Sequence, residues 1–428
     1  MEKMTGSSVL RALSFAAIYT GLFVSGQADG QREVEEPALS LSEAMRMTMA
    51  TNPELHAAGL QTEIERMRRD SAALSPPITL ETEIENFAGS GFSAGLGGAE
   101  VTLQLSKVLE RGGKSALRRQ IGELRVDRAM ISQEAARLAL AEGVTQRFIE
   151  IIALQERITL AQRTVDVAER TLAIVQTRVD VGRSSEAELS TAKIALSRAE
   201  LERRDVDRQL EQARMSLASL WGASTPRFAQ AVGDFFDLPN VESFASLEQR
   251  LPDNLEILRH AAELRLHAAS RRLAESRRKA DVSVSGGVRH LGEQDDVGLL
   301  FSVSVPFGSN SRARPEVAEA DLLLAQSPLT ADAQRRELRA LLFRLHQDLL
   351  FERTSFVRLR EMIIPEAENA VALYQEGFAV GSSTLLELAD AQDRLLVLQG
   401  EALDAARNYH TTLAEIEYLL GGRSGVPL

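Results

Sequence analysis

The sequence predicts a mixed α/β membrane protein, made of duplicated long helical hairpins with four β-strands per chain. Three observations predict it. The second half of the chain echoes the first at a nearly constant offset. Twice, at equivalent places, the apolar period switches from the 3.6 of a helix to the 2 of a strand. Most of the remainder reads as helix, in runs far longer than the three or four turns usual in globular proteins. The 428 residues are 44% hydrophobic, too much apolar material for a disordered chain.

The elements follow in chain order. Lys3 and Arg11 precede an apolar run from Ala12 to Val24, and Gly26-Gln27-Ala28 places small residues where a signal peptidase reads them. Residues 1–28 are therefore expected to be an export signal. The apolar run is too short to cross a bilayer as a helix, and no later segment is long enough, so any entry into a membrane must use strands. A first repeat is expected over 29–222. Asn52 is a cap with Pro53 at the first helical position, and Pro76-Pro77 stops that helix. A strand at about 77–88 then sets Ile78, Leu80 and Ile84 against Thr79, Glu81, Glu83 and Glu85. After a Gly/Ser loop, a strand at about 98–109 sets Val101, Leu103 and Leu105 against Glu100, Thr102, Gln104 and Ser106. No proline follows until Pro226, which allows long helices at about 112–180 and 184–221. Lys114 to Arg178 alone would span roughly 98 Å at 1.5 Å per residue.

A Pro- and Phe-bearing linker at 223–247 leads to a second repeat at 248–421 and a tail at 422–428. Strands are expected at about 281–291 and 297–307, and long helices at about 315–378 and 383–420, with Pro365 bending the first of these. The duplication is read from Val181-Gly182-Arg183-Ser184-Ser185-Glu186-Ala187-Glu188-Leu189, answered by Val380-Gly381-Ser382-Ser383-Thr384-Leu385-Leu386-Glu387-Leu388. Asn52-Pro53-Glu54-Leu55 is likewise answered by Asn254-Leu255-Glu256-Ile257. The helix lengths in each half are matched, as a cylinder of constant height requires.

Ten-residue strands with one apolar and one polar face are the pattern of a transmembrane barrel. Four strands cannot close one, since about eight is the minimum, so copies must associate to satisfy edge hydrogen bonds in lipid. Alternation alone also fits two half-buried hairpins on a soluble helical protein.

Composition excludes several classes. There is no cysteine, hence no disulfide framework, thiolate metal site or cysteine nucleophile. A net charge of −12 with a single Trp does not suit nucleic acid. Gly113-Lys114-Ser115 resembles the end of a phosphate loop, but Val108 stands where the motif needs glycine. Apart from His260 and His267, seven apart on one helix, the six histidines show no close ligand pairing, and surface or interface positions are expected rather than a zinc site. No nucleophile triad or paired-carboxylate arrangement emerges, so neither an enzyme nor a cofactor is expected.

Several segments carry a resemblance: Leu39-Ser40-Leu41-Ser42-Glu43-Ala44, Glu83-Ile84-Glu85-Asn86-Phe87-Ala88-Gly89, Glu110-Arg111-Gly112-Gly113-Lys114 and Leu386-Glu387-Leu388-Ala389-Asp390-Ala391-Gln392. With the duplicated helical hairpins, the chain resembles the TolC-type outer-membrane factors, and within them the cobalt–zinc–cadmium (CzcC-like) efflux group. That resemblance implies a homotrimer whose twelve strands form one outer-membrane β-barrel in lipid, above an α-barrel that crosses the periplasm. It implies a passive exit duct that docks to a periplasmic adaptor (membrane fusion protein) and a proton-driven inner-membrane pump of the resistance-nodulation-division (RND) class. Divalent heavy-metal cations are the expected cargo. Organic drugs are the alternative, and a soluble periplasmic coiled-coil scaffold a more distant one.

Site residues follow from both readings. Gly182 and Gly381 supply the left-handed conformation at the helical reversals, and Ser184, Ser185, Ser383 and Thr384 are capping residues. The family adds that these turns, with Val181 and Val380, meet the adaptor. Glu188, Glu387 and Asp390 are expected to ring a periplasmic gate, or else to form an ordinary solvated face. Glu81, Glu83 and Glu85 are expected to line the barrel lumen. Some relatives latch the tip with an Arg and a Tyr. Those positions are Ser383 and Phe378 here, so that latch does not carry over.

Overall fold

The structure is a computed structural model that describes residues 38–91 and 95–422. The expected export signal at 1–28 and all of the tail beyond residue 422 lie outside the described residues. The chain opens with β1 (Leu39–Ser40), α1 (Leu41–Thr51) and α2 (Pro53–Ala72). It continues through β2 (Ile78–Glu85), β3 (Glu100–Leu109), α3 (Lys114–Asp180), α4 (Glu186–Ser219), β4 (Ala231–Val232) and α5 (Phe244–Arg250). The second half holds α6 (Leu255–Ser276), β5 (Val282–Leu291), β6 (Asp296–Ser304), α7 (Ser309–Arg358), α8 (Ile364–Val380) and α9 (Leu385–Leu419).

The two halves use the same joint. Asn52 caps α2, its Oδ1 accepting from the amides of Glu54 at 2.9 Å and Leu55 at 3.3 Å. The same side chain donates to the Leu220 carbonyl at 2.9 Å, just past the end of α4. Asn254 repeats the arrangement, capping α6 while its amide donates to the Leu419 carbonyl at 2.7 Å. One buried amide thus satisfies orphan N–H groups of one helix and an orphan C=O of the other. It fuses α4 with α2, and α9 with α6, into end-to-end stacks. The stack of α4 and α2 covers most of the length of the 67-residue α3, against which both pack.

The strands form one antiparallel sheet in the order β2-β3-β5-β6, with the β3–β5 pairing joining the two halves. The main core lies at the level of the linker. Phe228, Phe235, Leu238 and Leu247 cover Phe148, Ile152, Leu342, Leu349, Phe356 and Ile416. A smaller cluster at the helical reversals holds Val175, Leu189, Phe378, Leu385 and Leu388.

One expectation is corrected. His346 and His410 are buried, not superficial. Each ring bonds a linker carbonyl, His346 Nε2 to Glu242 and His410 Nε2 to Phe235, both at 3.0 Å. The adjoining Tyr409 hydroxyl donates to the Pro239 carbonyl at 2.7 Å. A linker packed on a core exposes carbonyls to apolar surroundings, and these three rings satisfy them. Burial pushes the His410 pKa down. In the second long helix, the interruption expected at Pro365 is a π-helical turn at Leu359–Ile363, directly before Pro365 in the first turn of α8. Pro365 has no N–H to donate and its ring crowds the Glu361 carbonyl four residues back, and the π-turn accommodates both. The helix upstream starts at Ser309 and continues through both Pro315 and Pro328.

Candidate functional site

The sheet has two chemically distinct faces. On one, the cross-strand rows read Ile78–Lys107–Val284–Val303, Leu80–Leu105–Gly286–Phe301, Thr82–Leu103–Val288–Leu299 and Ile84–Val101–His290–Val297. Among the described residues nothing covers this face: Leu299 is 85% exposed, Phe301 76% and Val297 70%. An uncovered apolar sheet of this extent marks a surface made for lipid or a partner. On the other face, Thr79 and Ser106 hydroxyls lie 2.5 Å apart, Ser285 and Ser302 lie 2.8 Å apart, and Gln104 donates to Ser285. Glu81, Glu83 and Glu85 stand on this polar face. Glu85 and Glu100 both pair with Arg289 at 3.3 Å, and Arg289 Nε donates to Thr102 at 2.9 Å. Gly287, opposite Gln104, must be glycine, because a Cβ there would collide with the Leu103 carbonyl. The outer strands β2 and β6 each have one unpaired edge among the described residues.

At the far end of the helices lie the two reversals. Gly182 and Gly381 adopt φ of 73° and 89°, the left-handed region where glycine carries no Cβ penalty. Ser185 and Thr384 cap α4 and α9. Glu188 and Glu387 complete capping boxes, accepting from the backbone amides of Ser185 at 2.9 Å and Thr384 at 2.8 Å. These hydrogen bonds, the Thr384 backbone first and its hydroxyl second, hold the Glu387 carboxyl below the usual carboxylate range. Asp390 instead pairs with Arg394 at 3.0 Å. Glu387 and Asp390 therefore share a helix but have different partners. Val181 and Val380 are exposed, Ser184 accepts from Arg178 Nε at 3.1 Å, and Ser383 packs against Gly377.

Arg178 was not singled out by sequence reasoning. From the last turn of α3, its guanidinium lies 4.5 Å from the centre of the Phe378 ring and donates to the Phe378 carbonyl at 2.6 Å. It ties the first reversal to the second. An arginine in a final helical turn is a common dipole complement, so nothing local marked it.

Residues 45–223 match the model of the outer membrane efflux protein family. The cobalt-zinc-cadmium resistance protein CzcC of Cupriavidus metallidurans is 26% identical over 393 residues, 91% of each chain. The pyoverdine export outer membrane protein OpmQ of Pseudomonas aeruginosa is 25% identical, covering 82% of this chain and 73% of its own. The solved structure of CusC, a transmembrane channel, superposes with a TM-score of 0.73 at 16% identity, covering 92% of this chain and 95% of its own. The names of these relatives speak of metal resistance, export across the outer membrane and transmembrane channel formation. Over 45–223, and along nearly the whole chain in the match to CzcC, the protein is similar to outer membrane efflux proteins.

Proposed function

We propose that three copies of this chain form one duct through the outer membrane and periplasm, with the four-stranded sheets joined edge to edge into a twelve-stranded barrel. One observation carries the reading: a sheet with an uncovered apolar face and two unpaired edges continues directly into helices of about 100 Å at 1.5 Å per residue. Unpaired edges are intolerable in lipid, and closure among copies removes them. Exposed apolar residues at seven-residue spacing, Ile194 and Leu201 on α4 and Leu322 and Leu329 on α7, offer lateral contacts for neighbouring helices. The halves 29–222 and 248–421 act as tandem repeats joined by the linker at 223–247.

The polar face carries Glu81, Glu83 and Glu85 into the lumen. The reversals around Val181, Gly182, Ser184, Ser185, Val380, Gly381, Ser383 and Thr384 meet a periplasmic adaptor that connects to an RND-type inner-membrane pump. In the gate, Glu188 and Glu387 shape the mouth by completing the capping boxes of Ser185 and Thr384. Asp390 supplies charge toward the opening. The cargo is divalent metal cations, supported by the match to CzcC over nearly the whole chain. Export of a larger organic ligand is favoured by the OpmQ match, which covers less of both chains.

The assembly is tested by the solution mass of the mature protein extracted in detergent. A trimer is expected. A stable monomer in plain buffer would end the barrel reading.

A further inference from the structure

Where the strands meet the helices, cations outnumber the carboxylates available to them. Lys114 pairs with Asp281 at 2.7 Å, Arg118 with Glu110 at 2.6 Å and Arg277 with Glu316 at 2.6 Å. The carboxylates at this level are thereby used. Lys107, Arg111, Arg278, Lys279, Arg312 and Arg314 remain exposed, and none forms an ion pair among the described residues. They come from three separate crossings, β3 to α3, α6 to β5 and β6 to α7.

Three features give this excess a direction. Lys107 stands in the apolar rows of the sheet, beside Ile78 and Val284. Phe307, 92% exposed, sits just before the arginines of α7. The first turn of α7 holds no acid, Arg312 and Arg314 follow within its first two turns, and the next acid, Glu316, is paired with Arg277. The opposite end of the sheet is acidic, with Glu293, Asp295 and Asp296 exposed in and beside the β5–β6 turn. A band that is apolar, then aromatic, then cationic matches the boundary between lipid tails and phosphate headgroups, where long basic side chains keep their stems in the apolar layer.

We propose that this collar binds the phosphate headgroups of an anionic phospholipid leaflet, fixing the depth of the barrel at its periplasmic rim. The inference rests on the reading of the sheet as lipid-facing. Its occupant is a lipid surface rather than a protein, because the cations are continuous with the apolar face and spread over three crossings.

The test reconstitutes the full mature protein in phosphatidylcholine vesicles containing trace spin-labelled phosphatidylglycerol or spin-labelled phosphatidylcholine, and measures which label is immobilised at the protein surface. Wild type should prefer the anionic label, by about fivefold for each cation acting on it, and added salt should erode the preference. The quadruple variant Arg111→Gln, Arg278→Gln, Arg312→Gln and Arg314→Gln should lose most of it. Replacing Lys193, Arg198 and Arg204 on α4 with Gln should leave it intact. Equal retention of both labels by wild type overturns the collar, as does a preference that survives salt or the quadruple change. Channel conductance measured on the same vesicles separates the two readings. Wild type that conducts without lipid preference loses only the collar, whereas wild type that never inserts loses the channel as well.

Discussion

Asn254→Ala tests how the helical stacks are held. Asn254 is 6% exposed and makes three hydrogen bonds, two accepted from the start of α6 and one donated to the Leu419 carbonyl. Losing the cap costs about 1 kcal/mol. Leaving the Leu419 carbonyl unpaired at a partly buried junction adds about 1–3 kcal/mol. The sum, about 2–4 kcal/mol, would weaken the junction roughly thirty- to several-hundred-fold at about 1.4 kcal/mol per factor of ten. Global unfolding of a membrane assembly is not two-state, so the readout is local: hydrogen exchange of the amides at 254–258 and 417–422. Protection there should fall by that factor, while the middle of α3 keeps its own. Asn254→Asp should restore the α6 amides but not the α9 end, because a carboxylate accepts but cannot donate. Unchanged protection at both ends in the Ala variant would refute the joint, and with it the physical basis of the stacks.

Other outcomes follow from the reversals and the linker. Arg178→Ala removes the contacts with Phe378, so spin labels on the two reversals should show a broader distance distribution; an unchanged distribution would remove Arg178 as the tie. Asp390→Asn should lower cation selectivity in planar bilayers more than Glu387→Gln, because it also leaves Arg394 without its anionic partner. The reverse ranking would place the gate charge on Glu387. The Glu387 carboxyl is depressed in the folded state, so its contribution is complete above the ordinary carboxylate range and is lost only as pH falls through the lower folded value. Amide protection at Thr384 should therefore outlast general carboxylate protonation. His410 is also depressed, so linker stability is full above the ordinary histidine pKa of about 6.5 and declines as pH falls below it. Exchange at Phe235 to Pro239 should accelerate over that interval, and a flat profile would contradict the buried imidazole.

The signals legible in the sequence were those with local chemistry. Asn52-Pro53 marks a helix start without any knowledge of the fold, and the alternation of Val297, Leu299, Phe301 and Val303 declares a two-faced strand. The contacts that escaped are between residues far apart in the chain. Arg178 and Phe378 meet only because two reversals lie side by side, and His410 looks superficial until the linker folds over it. Pro328 was overlooked within a helix that continues past it. Glu387 and Asp390 show the same limit: spacing gave them a shared helix, but capping and ion pairing decided their partners.

The lipid-facing sheet is the central claim, and the absence of native cysteine makes it directly measurable. Single cysteines placed along β6, at Leu299 and Phe301 on the apolar face and at Gly298 and Ser302 on the polar face, would each be the sole thiol in the chain. In reconstituted trimers, a lipid-phase thiol probe should label positions 299 and 301, while a charged aqueous reagent entering the lumen should label 298 and 302. Aqueous labelling of all four positions alike would mean that the sheet lies outside the bilayer, contradicting the account.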